Sequence, residues 1–373
     1  MAEERFSLKD HLFNPESIGD LADEFSVLPG FDREGFHAQV CAGLDGRELM
    51  ERLEWIADCL EGRLAGDFPT MADQLEVAMP APLDPTLRDD DFGRFIHAVP
   101  GILAVRHGME DHRERALDLL HAATQRFSME FYIRPFINRW PEETLARLRV
   151  WARDENYHVR RLVSEGTRPK LPWAKAITLD PLVPLEFLHV LHADPTRFVT
   201  RSVANHLNDI AKFAPEVVLE HLARWRDAGQ QVPKELAWTE RHALRTLIKD
   251  GHAGAMAHLG YRADAPVRVA GLTLTPETPA IGEVMEIAFT VEADADSPVI
   301  VDYAMHFLKA NGTTAPKVFK IKDTVVKPGK PVALLKRHRF KGNATTFKLY
   351  PGPQKITVHV NGVVKAEAEY TLR

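Results

Sequence analysis

Three short stretches of the chain carry acidic, basic and aromatic side chains at spacings that could do chemistry. RFSMEFYIRPFINRW sets Glu130 and Arg134 four residues apart among the aromatics Phe131, Tyr132 and Phe136. WARDENYHVRRLVSEGTRPKLPW, from Trp151 to Trp173, holds Asp154, Glu155, Tyr157, His158, Arg160 and Arg161. TRSVANHLNDIAK holds Arg201, Asn205, His206, Asn208 and Asp209. On a helix, Arg201, Asn205 and Asp209 follow one another by one turn and so project from one face. The sequence has no GxSxG, P-loop, HExxH or dinucleotide fingerprint. An enzyme built from this kit works through carboxylates, helped by Arg, Asn and aromatic side chains. A reaction through an oxocarbenium-like sugar suits it, because a carboxylate stabilises the positive ring and orients water. His158 and His206 lack a third ligand at suitable spacing, so no metal and no cofactor is expected.

The same residues also have plainer roles. An Asp at a turn caps the following helix, which is the reading for Asp154 and Asp194. Arg161 and Arg201 either tie neighbouring units together or face a ligand. Glu130 is flanked by apolar residues, and its charge needs a partner; Arg134, one turn on, is the nearest candidate. Trp140 and Trp151 read as core, whereas Trp173 follows two prolines and reads as a loop contact.

These residues sit on a repeat. Asp154, Val159 and Arg161 recur as Asp194, Val199 and Arg201, each 40 residues later, and Arg245, 44 residues beyond Arg201, reads as a third copy. A period of about 40 residues with paired helices marks a helical repeat array, whose inner surface forms a long groove. Apolar spacing is helical from Leu8 to Tyr261, punctuated at Pro141, Pro169, Pro172, Pro195, Pro215 and Pro233. Around Ala265–Pro266 the period changes. VRVAGLTL, EIAFTVEA, PVIVDYAMHFL, KVFKIKDTVV, KRHRF, FKLYPGPQKITVHVNG and AEAEYTLR read as strands. Their separators are Pro276–Pro279, Asn311–Gly312, Pro328–Gly329, Gly342–Asn343 and Asn361–Gly362. Seven short strands in one such segment predict an antiparallel sandwich of immunoglobulin type, without the antibody disulfide because no cysteine falls there. The predicted domains are residues 1–263, all-α helical repeat solenoid, and 264–373, all-β immunoglobulin-like sandwich.

Composition is that of an ordinary globular chain, with 45% hydrophobic and 27% charged residues in 373. No apolar run reaches the ~18 residues of a membrane span, and the N-terminus MAEERFSLKDHLF lacks the order of a signal peptide. Cys41 and Cys59 lack metal-ligand spacing and read as core thiols in a reducing compartment, so a cytoplasmic location is expected. The net charge of −6 is uneven: residues 266–373 hold 15 Lys/Arg and 10 Asp/Glu, residues 1–265 hold 32 and 43. Residues 126–175 reverse the sign, with 11 Lys/Arg against 6 Asp/Glu, a basic stripe compatible with a polyanion groove.

In SMEFYIRPF, WARDENYHVRRLVSEGTRPKLPW and RSVANHLNDIAK the chain resembles the AlkC-type DNA glycosylases of the HEAT-like alkylation-repair superfamily, whose other branch is AlkD. The resemblance covers most of residues 1–260 at lower density, and some AlkC-type members carry an immunoglobulin-like C-terminal domain. It implies a HEAT-like fold and a monofunctional glycosylase that excises N3-methylated bases, mainly 3-methyladenine and 3-methylcytosine, from double-stranded DNA without flipping the base. It places Glu130 in the segment matching the family's first catalytic helix, and Arg161 at an arginine that faces DNA. Asn205 falls where the AlkD branch has an aromatic residue against the lesion, with Asp209 one turn beyond. The tryptophans that frame the AlkD site are missing at the matching places, which shifts lesion contact to Tyr157 or Trp173. The central carboxylate is one of Glu130, Glu155 and Asp209. Arg134, Arg160, Arg201 and Asn208 complete the expected DNA and lesion contacts. In the C-terminal domain, Lys336, Arg337, Arg339 and Lys341 of KRHRFKGNATTFK are expected to reach the DNA backbone; the plainer reading is a charged edge strand that deters aggregation.

Two rivals stand beside this reading. One is a helical-repeat adaptor that binds proteins through an apolar groove, favoured by the −11 of residues 1–265. The other is an inactive relative that binds DNA structure. A monomer is the expected state, with no membrane partner.

Overall fold

A computed structural model describes residues 7–89, 91–342 and 348–373. The start of the N-terminal stretch, Asn343 of one predicted turn and Phe347 at the head of one predicted strand lie outside the described residues. Among the described residues helices run from Leu8–Leu12 to Ala253–His258, and seven strands follow.

The helix starts are written in the sequence. Asn14, Asp32, Asp67 and Asn156 each accept a first-turn amide hydrogen bond, and Pro15, Pro141, Pro215 and Pro233 occupy first helical positions, where a missing N–H costs nothing. Between its caps each helix buries one stripe. Val159, Leu162 and Val163 on Tyr157–Gly166, and Val199, Val203 and Leu207 on Arg197–Ala211, are fully buried. Helix Tyr157–Gly166 packs on Glu130–Arg139, Pro141–Trp151 and Leu185–Leu191, so each element covers its neighbours' apolar faces.

The period of 40 has a mechanical meaning. Asp154 accepts the Asn156 amide at 2.8 Å, and Asp194 accepts the Thr196 amide at 2.8 Å. Each therefore folds the turn ahead of a helix rather than serving as the cap, which for Tyr157–Gly166 is Asn156. The other carboxylate oxygen of each reaches the preceding unit: His121 Nε2 lies 2.8 Å from Asp154 Oδ2, and Arg160 Nε donates to Asp194 Oδ2 at 2.5 Å. Arg161 and Arg201 are the fifth residues of their helices, but Arg245 opens the short helix Arg245–Lys249, so the third copy does not keep register. The Arg160–Asp194 pair is nearly buried. Asp194→Ala removes a turn and strands a guanidinium at once, so a loss of about 3–5 kcal/mol in urea unfolding is expected; a loss below about 1 kcal/mol would mean that water replaces the carboxylate at no cost.

The strands are β1 (Val267–Thr275), β2 (Val284–Ala293), β3 (Ser297–Leu308), β4 (Thr314–Val326), β5 (Val332–Arg339), β6 (Gly352–Val360) and β7 (Val363–Leu372). They form two antiparallel sheets, β1-β2-β5 and β4-β3-β6-β7. Alternation decides the faces: Ile287, Phe289 and Val291 of β2 meet Val299, Val301, Tyr303 and Met305 of β3 in one core. Asn361 and Gly362 join β6 to β7 with φ of 51° and 76°, the left-handed pair that a two-residue hairpin requires.

Secondary structure switches near Ala265, but compactness divides the chain elsewhere. One unit comprises Met1–Ile210 with Trp225–Thr239; the other comprises Ala211–Arg224 with Glu240–Arg373. In the second unit Met256 and Tyr261 cluster with Ile300 of β3, so the last short helices pack with the strands. Among the described residues no helix is long and apolar enough to cross a membrane.

Candidate active site

Two helices and a helix start bring the charged residues together. Glu130 opens helix Glu130–Arg139, where the helix dipole favours an acid. Ser128 donates to Glu130 Oε2 at 2.6 Å, and Arg161 donates to the same oxygen at 3.0 Å. The guanidinium of Arg161 lies 4.4 Å from the Phe198 ring centre, within reach of a cation–π attraction. One turn along the helix is Glu165, whose Oε2 is 3.9 Å from Arg161. Glu165 also accepts Ser202 Oγ at 2.5 Å and Arg168 at 2.5 Å. Arg168 then reaches Asp209 through Nε at 3.0 Å and a terminal nitrogen at 2.9 Å. The result is a ladder of alternating charge: Glu130, Arg161, Glu165, Arg168, Asp209.

The ladder is graded in exposure. Glu165 and Asp209 side chains keep only 6% and 5% of their accessible surface, Glu130 keeps 17%. Glu130 is thus its best-placed acid for meeting a ligand. Burial pushes the Glu165 carboxyl up, but the charges of Arg161 and Arg168 and the Ser202 hydroxyl outweigh it and hold it below the usual carboxylate range. Arg168 is pulled down by burial and raised further by Glu165 and Asp209. Both stay ionised at neutral pH. His206 donates Nδ1–H to the Ser164 carbonyl at 3.0 Å, and burial lowers its pKa to about 4, so it is neutral.

The sequence-predicted residues divide. Glu130, Arg161 and Asp209 join one network. Glu155 does not: it is exposed on the turn before helix Tyr157–Gly166, and its carbonyl accepts Arg160. Arg134 is not the partner of Glu130. Its donors go to the carbonyls of Gly166, Arg168 and Lys175, and it is fully buried. Arg160 is committed to Asp194 and to the Asp154 and Glu155 carbonyls. Tyr157 is core, with its ring 4.1 Å from His158 and 2% exposed, which removes it from any surface contact. Arg201 pairs with Asp89. Asn205 shares the half-exposed face with Arg201, and Asn208 is buried. Trp173 is 72% exposed with φ of 64°, and lines a hollow of about 260 Å³ with Phe131, Tyr132 and Pro135. Lys336, Arg337 and Arg339 lie on edge strand β5, where Arg337 pairs with Glu286; Lys341 follows it, exposed.

Sequence reasoning missed Glu165, Arg168, Ser128, Ser202 and Phe198. The first two were detectable: Arg161, Glu165 and Arg168 stand at i, i+4 and i+7, one helical face. No group of His, Cys, Asp and Glu among the described residues could hold a metal ion.

Residues 268–373 match the family model of the YhaZ C-terminal Ig-like domain. An uncharacterized protein, YhaZ of Bacillus subtilis (strain 168), is 36% identical over 262 residues, spanning 69% of this chain and 72% of the relative. A solved structure of the alkylpurine DNA glycosylase AlkC of Pseudomonas fluorescens, bound to DNA containing an abasic site analog, is similar over 99% of this chain and 100% of its own, with a TM-score of 0.86 and 34% identity. Its fold is the same helical repeat followed by an immunoglobulin-like sandwich.

Proposed function

The chain belongs to the AlkC family of DNA alkylation glycosylases, and we propose that it is a monofunctional glycosylase for cationic N3-methylated bases, 3-methyladenine and 3-methylcytosine, in duplex DNA. The ladder from Glu130 to Asp209 carries this reading. An N3-methylated base is already positive. When the N-glycosidic bond breaks, the base keeps the bonding pair and leaves neutral, so no acid is needed to protonate it. The remaining task is to stabilise the oxocarbenium and deliver water. Glu130, anchored by Ser128 and Arg161, supplies negative charge beside the sugar and takes a proton from the attacking water. No lysine belongs to the ladder, so hydrolysis ends at an abasic sugar without a Schiff base.

Arg161 donates from Nη1 to both Glu130 and Ser128, and its guanidinium sits over the ring of Phe198. Turning it to a DNA phosphate strips Glu130 of its counter-charge and strengthens the field at the sugar. Exposed Trp173 fills the place against the lesion that Tyr157 cannot. The protein-adaptor reading loses support, since the cluster on these helices is ionic rather than apolar. The test is release of base from methylated duplex DNA, resolved into 3-methyladenine, 3-methylcytosine and 7-methylguanine. Release of the first two supports the proposal; release of an unmethylated, neutral base contradicts its chemistry.

Edge strand β5 supplies a second DNA contact in this reading. Joint replacement of Lys336, Arg337, Arg339 and Lys341 by Ala is expected to weaken duplex binding. It should flatten the slope of log K against log salt by about 0.9 for every phosphate that these cations no longer neutralise. An unchanged slope assigns them to protecting the strand edge.

A further inference from the structure

The ladder has a neighbour that the proposed chemistry does not use. After helix Phe68–Ala78 the chain makes a loop that leaves from residues 125–126 and returns to residue 127. On the way out, the Leu83 amide donates to the Gln125 carbonyl at 2.9 Å, and Arg126 Nε donates to the Pro80 carbonyl at 2.8 Å. On the way back, Gly93 forms a β-bridge with Phe127, the residue before the Ser128 that holds Glu130. Only glycine fits there, because φ is 67° and a Cβ would come within 1.9 Å of the Arg126 carbonyl oxygen. Between these anchors the loop reaches helix Arg197–Ala211. The Phe198 amide donates to the Arg88 carbonyl at 3.0 Å, and the Phe92 ring meets Phe198 edge-on at 5.0 Å. Asp89 pairs with Arg201, one turn along that helix. Phe198 carries Arg161 on its ring, and Ser202, next to Arg201, donates to Glu165. The loop therefore rests on residues that adjoin two members of the ladder.

The loop brings acid to this place. It carries Asp84, Asp89 and Asp91. Burial pushes the Tyr157 hydroxyl up to about 12, and the charges of Asp91, Asp84 and Asp89 push it the same way, so their field reaches the start of helix Tyr157–Gly166. At Arg201 the Asp89 carboxylate offers what a backbone phosphate offers, negative oxygens for a guanidinium. The pair is partly open to water, with the two side chains keeping 32% and 29% of their accessible surface. A pair of that kind is weak and readily exchanged. The Arg160–Asp194 pair, also between a helix arginine and a turn aspartate, is nearly buried and is not.

We infer that Asp89 is an internal competitor of the DNA backbone: its carboxylate occupies Arg201 in the free protein, and a duplex phosphate takes its place in the complex. The inference rests on the glycosylase reading, which supplies the phosphate. It concerns the hold on DNA rather than bond cleavage. A duplex gains Arg201 only by breaking the pair, and the released Asp89 then repels the phosphate that replaced it. Contact through this helix is thereby kept weak.

Fluorescence anisotropy of the full chain with a labelled, unmethylated duplex tests this. Asp89→Asn should tighten binding about two- to fivefold, the worth of a partly exposed ion pair. The gain should be smaller when Arg201 is already Ala, because the substitution then relieves only repulsion. In the Asp89→Asn background, Arg201→Ala should also lower the slope of log K against log salt by about 0.9, the loss of one phosphate contact. Asp89→Glu keeps the charge and should keep the parent's affinity. The inference is overturned if the parent binds and Asp89→Asn binds no tighter, or if the gain is as large or larger without Arg201. An unchanged salt slope also overturns it, because Arg201 then meets no phosphate. So does equal tightening by Asp89→Glu, which would assign the effect to the shape of the loop. In each of these cases release of methylated base by the parent leaves the glycosylase reading standing. A parent that neither binds the duplex nor releases base removes both.

Discussion

Glu130→Gln should cut base release from methylated duplex DNA by about 10²–10³-fold, the usual cost of removing one electrostatic stabiliser of a transition state. The fold should hardly notice. Glu130 is the ladder's most exposed acid, and a glutamine there still accepts hydrogen bonds from Ser128 and Arg161. What disappears is the negative charge beside the sugar. Single-turnover kinetics at saturating enzyme separate this from weaker binding, since the bond-breaking step itself should slow. Glu155→Gln is the matched control. That side chain is exposed on a turn and touches none of the ladder, so its rate should stay within about twofold of the parent's. Equal losses in the two variants would mean that the carboxylates act through general field rather than position, and Glu130 would lose its role.

The contrast between Glu130 and Glu155 shows what can be read in the sequence. The helices, the seven strands and the 40-residue register follow from periodicity and turn residues, because burial imposes those patterns locally. Asp154 and Asp194 stand out because each turn repeats in sequence, although both do more than fold it. The ladder is different. Its two outer links join residues 31 and 41 apart, Arg161 to Glu130 and Arg168 to Asp209, and no local pattern fixes which of two neighbouring acids points inward. Glu155 sits among more charge and is the more conspicuous. Glu165, in LVSEG, escapes notice because Leu162, Val163, Ser164 and Gly166 around it carry no charge, although the same setting makes it buried. Tyr157 misleads for the opposite reason. An aromatic beside charged residues reads as a contact, but it starts a helix whose buried stripe it extends, against His158 and Phe198.

Glu165→Gln tests the interior of the ladder and should cost both stability and activity. The glutamine keeps a carbonyl for Ser202, but it no longer neutralises Arg161 and Arg168, both nearly buried. Removing one member of such a group leaves charge uncompensated, so a loss of about 3–5 kcal/mol is expected in urea unfolding at neutral pH. The pH dependence identifies the cause. The folded state holds the Glu165 carboxyl below its ordinary value of 4.5. A group of that kind contributes stability in full above its unfolded pKa, and the contribution fades as pH falls through the folded pKa. The gap between parent and Glu165→Gln should therefore be constant above pH 4.5 and shrink below it. A gap that is the same at about pH 3.5 and pH 7 would point to lost packing instead. Activity adds a second axis: at a temperature where both proteins are folded, Glu165→Gln frees Arg161 to bind Glu130 more closely, which masks the acid that faces the sugar. Pairing it with Glu130→Gln then settles the order of action, because the double variant should be no slower than Glu130→Gln alone if Glu165 works only by holding Arg161 in place.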